Sequence, residues 1–463
     1  MEDATKEKYV PHSQGVSPQH NLYQRPKGLK GLYFHPATQL VMLGLVCFMC
    51  PGLFNALNGL GAGGQVDSAT SSNANTALHA TFSISAFFSG SINNRLGARM
   101  TLFLGSIGYA LYIASYLAMN IHPSAGGFVI AAGTILGICA GLLWTAQGSL
   151  MLSYPTESQK GRFIGIFWAI LNLGAVIGAS VSLALNFSGT TNSVGNSTYI
   201  AFLVLTMTGA MIPLIMANPD DIVRTDGSKP AAFRHPSWRA EIYNLWVAVR
   251  DDRLVILLFP MFFSASWFYT WQFNGYNAAL FTIQARSLNN LIYWVAQIVG
   301  SIIIGIILDT KVIGRRARAF TGWGILFFAV TSLHIWAYFY QKNYTRESVS
   351  HTAHKIGISD KGYMAKMWLY FFFGILDAIW QITVYWIVGT MSNDPAKLAH
   401  FTGLYKAFQS AGATGIWRAD AVKTSYMNMF VSTWVLLIAG LLFALPMIHL
   451  RVKNTTDLEE KTQ

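Results

Sequence analysis

Long apolar stretches alternate with short polar connections along most of the chain. A helix needs roughly twenty mostly apolar residues to cross the hydrocarbon of a bilayer. By that measure the pattern predicts two sets of six membrane-spanning helices. The first set is approximately 38–60, 76–91, 99–119, 126–151, 163–185 and 199–216, and the second is 254–273, 289–308, 319–340, 364–388, 399–417 and 426–450. The stretch at 76–91 is short and polar, so eleven helices are the alternative.

The polar stretches divide the chain into five parts. We expect a disordered cytosolic tail, an N-terminal six-helix bundle, a cytosolic linker, a C-terminal six-helix bundle and a second cytosolic tail, at 1–37, 38–216, 217–253, 254–450 and 451–463. The linker contains two tryptophans, Trp238 and Trp246, among basic residues. The stretch at 238–249 therefore fits a helix on the membrane surface, and a solvated linker is the alternative.

Composition supports a membrane protein. Hydrophobic residues make up 53% of the 463 residues and charged residues only 11%. In soluble proteins about a quarter of the residues are charged. The net charge of +12 comes from Lys and Arg in short connections, without the continuous basic face that nucleic-acid binding needs. We therefore expect the lipid bilayer, and no nucleic acid, as a partner.

The basic residues also predict an orientation, because positively charged loops are retained in the cytosol. With both termini cytosolic, 23 Lys and Arg fall in cytosolic segments, 7 fall outside and 2 lie within spans. Three Asn-X-Ser/Thr acceptors, Asn186, Asn196 and Asn343, then lie outside, where glycosylation takes place. We expect a glycoprotein of the plasma membrane or of a vacuolar or endosomal membrane.

One short pattern occurs twice, after the second span and after the eighth. In each copy a glycine in the helix is followed by a polar or acidic residue, a glycine turn and arginines. The first copy comprises Gly90, Asn94, Arg95, Gly97 and Arg99, and the second Gly305, Asp309, Arg315, Arg316 and Arg318. Repetition at equivalent places in two halves indicates internal duplication.

This pattern resembles the signature Gly-X-Leu-Ala-Asp-Arg-X-Gly-Arg-Lys of the major facilitator superfamily. In that family the acidic residue and the arginines lock the inner gate, so the resemblance implies that the two copies are gate residues. Asn94 stands where the acid belongs in the first copy. The second copy keeps Asp309 but has two extra residues before Gly314.

Three further motifs resemble the fungal branch of the Unc-ninety-three-like family, a divergent arm of the major facilitators. The motifs are Asn-Gly-Leu-Gly-Ala-Gly-Gly-Gln at 58–65, Leu-Trp-Thr-Ala-Gln-Gly-Ser at 143–149 and Tyr-Pro-Thr-Glu-Ser-Gln-Lys-Gly-Arg-Phe at 154–163. The resemblance implies twelve helices in a membrane. Animal relatives act as a channel-associated regulator and as a trafficking chaperone for receptors, so it also implies an alternative to transport.

Ionisable residues at mid-membrane are costly and point to function. Asp377 lies halfway along the tenth span with Gln381 one turn away, and Lys406 lies at a similar depth in the eleventh. Matching depth on consecutive helices suggests a buried ion pair. The pair has two interpretations: a structural salt bridge, or a site at which substrate or a proton competes for Asp377.

In major facilitators the first, fourth, seventh and tenth helices line the central cavity. Five polar or aromatic residues on the first, fourth and seventh spans are therefore candidate cavity residues: Asn55, Trp144, Gln147, Trp271 and Gln272. Such a cavity suits an organic solute with apolar and hydrogen-bonding parts. For each of these residues, packing between helices is the alternative role.

The sequence lacks other recognisable chemistry. Cys47, Cys50 and Cys139 lie within apolar runs and are not spaced as a metal site, so we expect buried thiols. No phosphate-binding loop or nucleophile constellation occurs. We therefore expect no catalytic residue, metal or cofactor. The expected function is secondary transport of a small organic solute, and the alternative is a non-transporting scaffold, regulator or chaperone with a membrane-protein partner.

Overall fold

The chain folds almost entirely into helices. The computed structural model describes residue 23 and residues 26–65, 67–155, 160–188, 193–229, 237–310, 312–349, 354–391 and 395–453. Twelve long helices lie in these residues. They are α1 Pro36–Gly59, α2 Ala69–Leu96, α3 Ala98–Ile121, α4 Gly126–Ser153, α5 Lys160–Asn186, α6 Asn196–Ile215, α7 Arg253–Ala278, α8 Ile283–Asp309, α9 Arg315–Gln341, α10 Tyr363–Gly389, α11 Pro395–Ala421 and α12 Tyr426–Arg451.

Ten of these helices are long and apolar enough to cross a membrane. The other two, α2 and α11, have 28 and 27 residues, which is long enough to span about 40 Å, but they are more polar. They pack against each other, so their polar faces are sheltered from lipid. The expectation of an all-helical membrane protein is confirmed.

The second helix begins earlier than the hydrophobic pattern predicted. The expected start was Thr76, whereas α2 begins at Ala69. The added turns contain small polar residues, and Ser72 and Asn75 are fully buried there. Contacts with other helices outweigh the low hydrophobicity of this stretch, which is why a search for apolar runs missed it.

The buried apolar residues form two clusters. One comes from α1 to α6 and the segment after α6, with Ile283 added, and the other comes from α7 to α12, with Ala175 and Ala179 added. We call α1–α6 the first set and α7–α12 the second set. The two sets touch chiefly where α2 packs on α11 and where α5 packs on α8.

The path of the chain defines two faces of the molecule. Twelve successive helices bring the start of α1 and the end of α12 to the same side. We call this side the terminal face and the opposite side the distal face. The segment between α6 and α7 lies at the terminal face and contains one further helix, Trp238–Asp251, which we call the linker helix. It contacts α2 and α11, besides the adjoining start of α7.

Candidate functional site

The helices α1 and α7, which occupy equivalent places in the two sets, are both irregular. In α1 a π-helical turn, Phe48–Gly52, contains Pro51, which has no N–H to donate to the preceding turn. In α7 the helix is broken at residues 265–267 and continues as a π-helical segment, Trp271–Ala278. Interrupted helices at matching places in two repeats are typical of transporter binding sites.

Asp377 lies at the centre of a polar group next to the break in α7. Its side chain is 1% exposed. The carboxylate accepts hydrogen bonds from Tyr269 at 3.0 Å, Tyr293 at 3.0 Å, Gln297 at 2.6 Å and Gln381 at 3.3 Å. We call these five residues the carboxylate cluster. Four neutral donors from four helical positions surround the buried carboxyl group, and no cation is in direct contact with it.

The expected ion pair between Asp377 and Lys406 is wrong. No salt bridge joins them, and two amides lie between them: Lys406 donates to Gln409 at 2.9 Å, and Gln409 donates to Gln381 at 3.2 Å. The Lys406 ammonium instead lies over an aromatic ring, 5.1 Å from the centre of the Tyr405 ring. Asp377 and Lys406 are therefore connected through Gln381 and Gln409 and do not touch, because these glutamines occupy the space between α10 and α11. We call this chain of hydrogen bonds the relay.

Gln381 connects this relay to the broken helix. Its Nε2 donates to the backbone oxygen of Ala265 at 2.8 Å, and its Oε1 accepts from Tyr405. Ala265 lies where the regular α7 helix is interrupted, so its carbonyl requires a partner from outside the helix. The expectation that Gln381 shares a site with Asp377 agrees with this geometry, and the role of that site is still a prediction.

The two candidates on α7 face different surroundings. The Oε1 of Gln272 lies 3.0 Å from the Tyr293 hydroxyl that also contacts Asp377, so Gln272 borders the carboxylate cluster. Trp271 is fully buried and donates to Gln341 of α9 at 2.7 Å. Its ring packs against Phe430 of α12, with ring centres 4.9 Å apart. Trp271 thus lies in the packed interior of the second set, and its role as a cavity residue stays a prediction.

The candidates of the first set lie apart from the carboxylate cluster. Trp144 is half-buried and stacks on Trp168, with ring centres 6.4 Å apart. Gln147 is buried beside Met151, and Asn55 is half-buried on α1. No hydrogen bond between described residues joins these side chains to Asp377. The structure thus brings together the second-set candidates but not those of the first set.

The first copy of the repeated pattern lies at the turn between α2 and α3. Gly97 has a φ of 77°, and Asn94 and Arg95 are exposed at the end of α2, which also contains Gly90. Arg99 donates to the backbone oxygens of Pro213 and Leu214, at 3.3 and 2.5 Å. These carbonyls lie in the last turn of α6, so Arg99 caps a helix of its own set.

The second copy shows the same use of arginine. Arg318 donates to the backbone oxygen of Leu308 at 2.7 Å and so caps the end of α8. Arg316 contacts His449 of α12 at 2.9 Å, and Arg315 begins α9. Gly305 lies within α8, and Asp309 is exposed at its end without an ion pair to any described residue. A gate role for these residues stays a prediction.

The distal face contains contacts that the sequence did not suggest. Arg286, near the start of α8, is 2% exposed. Its guanidinium donates to the backbone oxygens of Leu60, Gly61 and Gln65, at 2.9, 2.6 and 3.1 Å. These carbonyls belong to the turn that ends α1, so one arginine of the second set holds a turn of the first set.

Glycine is required in that turn. Gly61 has a φ of 75°, and a Cβ there would lie 2.1 Å from the backbone oxygen of Phe273 in α7. Gly63 has a φ of 61°, and a Cβ there would lie 2.1 Å from the ring of Tyr116. The glycine-rich motif at 58–65 thus allows the end of α1 to approach α7 closely.

Asparagines of α7 and α8 add to the same contact. Asn274 accepts from the N–H of Ala62 at 2.7 Å, and Asn277 donates to the carbonyl of Gly59 at 3.1 Å. Asn290 donates to the carbonyl of Ala56 at 2.7 Å. Together with Arg286 they form what we call the distal closure. The close spacing of asparagines at 274, 277, 289 and 290 was the available signal for it.

A second buried carboxylate supports the distal closure. Asp420, at the end of α11, is fully buried. It pairs with Arg346 of the loop between α9 and α10 and accepts from Asn274 at 2.8 Å and from Ser72 of α2. The predicted eleventh span ends at Trp417, which places Asp420 in a loop.

Within the described residues, every hydrogen bond between the two sets lies towards the distal face.

The loop between α9 and α10 also contacts the end of α7. Lys355 donates to the backbone oxygens of Val349, at 3.0 Å, and of Ala279. Burial, and secondarily the nearby Arg286 guanidinium, lower the pKa of Lys355 to about 8. Within the described residues, no group of three histidine, cysteine or acidic side chains has the spacing of a metal site.

The three predicted glycan acceptors differ in exposure. Asn186 is 4% exposed, donates to the carbonyl of Ser182 at 2.7 Å and to the hydroxyl of Thr198 at 2.8 Å, and accepts from the N–H of Gly195. Its amide links the end of α5 to the start of α6, so it does not fit an attached glycan. Asn196 and Asn343 are exposed.

Comparison with known proteins gives consistent results. A family model described as "Ion channel regulatory protein UNC-93" matches residues 64–446. An UNC93-like protein of Schizosaccharomyces pombe is 44% identical, over 94% of this chain and 87% of the relative. UNC93-like protein 1 of Arabidopsis thaliana is 38% identical, over 91% of this chain and 92% of the relative.

Two solved structures show the same fold. A partially occluded, inward-open xylose transporter XylE from E. coli has a TM-score of 0.63 at 16% identity and covers 93% of this chain and 100% of that chain. A bacterial homologue of the human lysosomal transporter Spinster has a TM-score of 0.60 at 11% identity, over 91% of this chain and 99% of that chain. The expected major facilitator-type fold is confirmed.

Proposed function

Because the chain belongs to the UNC-93 family and has the major facilitator fold, we propose that it is a secondary transporter of a small organic solute. In this proposal the two six-helix bundles, 38–216 and 254–450, rock about a central site and expose it to one side of the membrane at a time. The observation that carries the proposal is the distal closure. Its buried hydrogen bonds join the two sets at one face, as one end state of such a cycle requires.

The carboxylate cluster is the proposed coupling site. Asp377 is buried, belongs to α10 and contacts both the broken α7 and α8. A charged or hydrogen-bonding solute can compete for the donors around it, and such competition would change the contacts of the α7 break. Asp377, Gln381 and Gln272 are thus proposed to act together, with Lys406 connected through Gln409.

The proposed orientation places the distal face outside the cytosol. It rests on the excess of Lys and Arg in the segments at the terminal face. Asn196 and Asn343, which are exposed at the distal face, are then the proposed glycan acceptors. Loss of a glycosidase-sensitive band in Asn343→Gln or Asn196→Gln supports this orientation. A fourth Asn-X-Thr acceptor, Asn454, falls in the 451–463 tail, and a glycan on it contradicts the orientation. The plasma membrane and a vacuolar or endosomal membrane both fit.

The test of transport begins with ligand discovery on the purified protein. A library of organic solutes is screened by thermal shift against the parent protein and Asp377→Asn, which keeps the shape of the carboxylate but removes its charge. Asp220→Asn, at an exposed carboxylate of the segment between α6 and α7, is the matched control. We expect some solutes to stabilise the parent and the control but not Asp377→Asn, and to show saturable counterflow in liposomes.

A second candidate function is regulation of another membrane protein. The observation that favours it is the description of the matching family as an ion channel regulatory protein. A regulator would bind a channel or receptor in stoichiometric amounts and show no solute flux. Capture of such a partner, together with an absence of counterflow for every solute that binds, would replace the transport proposal with this one.

A further inference from the structure

The linker helix has an apolar side that is not covered by the rest of the protein. Ile242, Tyr243 and Trp246 are 47%, 60% and 56% exposed, and Trp238 is 37% exposed. Their spacing of four, five and eight residues from Trp238 places them on one side of an α-helix. Large exposed apolar patches on a surface mark an interaction site.

The position of this side points to lipid. The ring of Trp238 packs against Phe88 of α2, with ring centres 5.6 Å apart. Phe88 is itself 43% exposed on α2, beside the exposed Ile84 and Ile92 of the same helix, and lies eight residues before its end, which is about 12 Å along the helix axis. The apolar side of the linker helix is therefore continuous with the lipid-facing surface of the helices.

The charges of the linker helix indicate how it would bind. Arg239 and Arg250 are opposed by Glu241 and Asp251, so the helix as a whole carries no net charge. Each arginine lies over a tryptophan: Arg239 is 5.2 Å from the Trp238 ring centre, and Arg250 is 5.0 Å from that of Trp246. Aromatic rings with charged groups beside them suit the boundary between headgroups and acyl chains.

We propose that the linker helix lies in the lipid interface of the leaflet at the terminal face, with Trp238, Ile242, Tyr243 and Trp246 inserted among the lipids. The apolar side chains drive insertion, so it does not require anionic headgroups. The helix contacts α2 of the first set and α11 of the second. Once inserted, it therefore lies in the lipid across the boundary between the two sets. The inference does not depend on transport.

The experiment measures the depth of single spin labels on the full-length protein in lipid nanodiscs. Cys47, Cys50 and Cys139 are replaced by alanine, and a label is attached at Tyr243→Cys, at Trp246→Cys or at the matched control Asp251→Cys on the same helix. Accessibility to oxygen, which concentrates in lipid, is compared with accessibility to a water-soluble nickel complex. Nanodiscs of phosphatidylcholine alone and of phosphatidylcholine with phosphatidylserine are used.

We expect the labels at 243 and 246 to favour oxygen in both lipids and the label at 251 to favour the nickel complex. Equal nickel accessibility at all three positions would show a solvated linker and overturn the proposal. Protection of 243 and 246 from both reagents would also overturn it, because a protein rather than lipid would then cover the helix. If the cysteine-free protein fails to fold, the same labels are placed in a background that keeps the buried Cys47 and Cys50.

Discussion

The distal and terminal faces of the protein use polar side chains in different ways. At the distal face, Arg286, Asn277 and Asp420 bind groups of both sets and thereby join them. At the terminal face, Arg99 and Arg318 bind carbonyls at the ends of helices within their own set. These distal side chains join the two sets, whereas Arg99 and Arg318 stabilise helices within one set.

The largest expected effect is that of Arg286→Ala. The change removes three charged hydrogen bonds and leaves buried carbonyls without them, at a cost of roughly 1.5–3 kcal/mol for each bond. We expect the distal closure to open. Ser287→Cys, whose parent hydroxyl lies 3.2 Å from that of Ser182 across the sets, reports opening through its labelling by a membrane-impermeant thiol reagent.

That labelling is carried out with Cys139 replaced by alanine, and Arg286→Lys is the conservative variant. Lysine keeps the charge but cannot reach several carbonyls at once, so intermediate labelling is expected. Protection of Ser287→Cys in both Arg286 variants would contradict the role of Arg286 in holding the face closed.

A smaller effect is expected for Asp420→Asn. The variant weakens the buried pair with Arg346 but keeps an acceptor for Asn274 and Ser72. We therefore expect the closed state to lose about 1.5–3 kcal/mol of stability. The variant Arg346→Gln should produce the same labelling of Ser287→Cys as Asp420→Asn, and the double variant should add little. If the effects of the two changes on labelling add, the Asp420–Arg346 ion pair does not stabilise the closed state.

The terminal-face arginines should behave differently. Arg318→Ala removes a helix cap within the second set and should lower the free energy of unfolding by about 1 kcal/mol, measured from the thermal midpoint in detergent. Ser287→Cys should remain protected, because no contact between the sets is lost. Increased labelling in Arg318→Ala would remove the distinction between the two faces.

The smallest effect belongs to Arg418→Ala. Arg418 donates to Asn73 of α2 at 2.9 Å, so it also joins the two sets, but the contact is exposed at the rim of the distal face. Exposed polar pairs contribute less than about 1 kcal/mol. Labelling of Ser287→Cys should be nearly unchanged, and a change as large as that of Arg286→Ala would show that burial does not determine the strength of the closure.

The same contrast explains what the sequence could predict. Length and hydrophobicity located the apolar helices, and the cost of a buried charge singled out Asp377. Arg286 falls between the predicted spans 254–273 and 289–308, and nothing local indicates that its partners are carbonyls at the end of α1. The path from Lys406 to Asp377 depends on how two glutamines fill the space between α10 and α11, and such contacts are set by packing rather than by spacing along the chain.

Distances between spin labels show whether one face of the protein closes when the other opens. One pair, Ile121→Cys and Val422→Cys, spans the distal face, and another, Leu96→Cys and Val312→Cys, spans the terminal face; all four positions are exposed. In lipid nanodiscs, Arg286→Ala should lengthen the distal distance and shorten the terminal distance relative to the parent. A longer distal distance with an unchanged terminal distance, or no change at either face, would contradict the account.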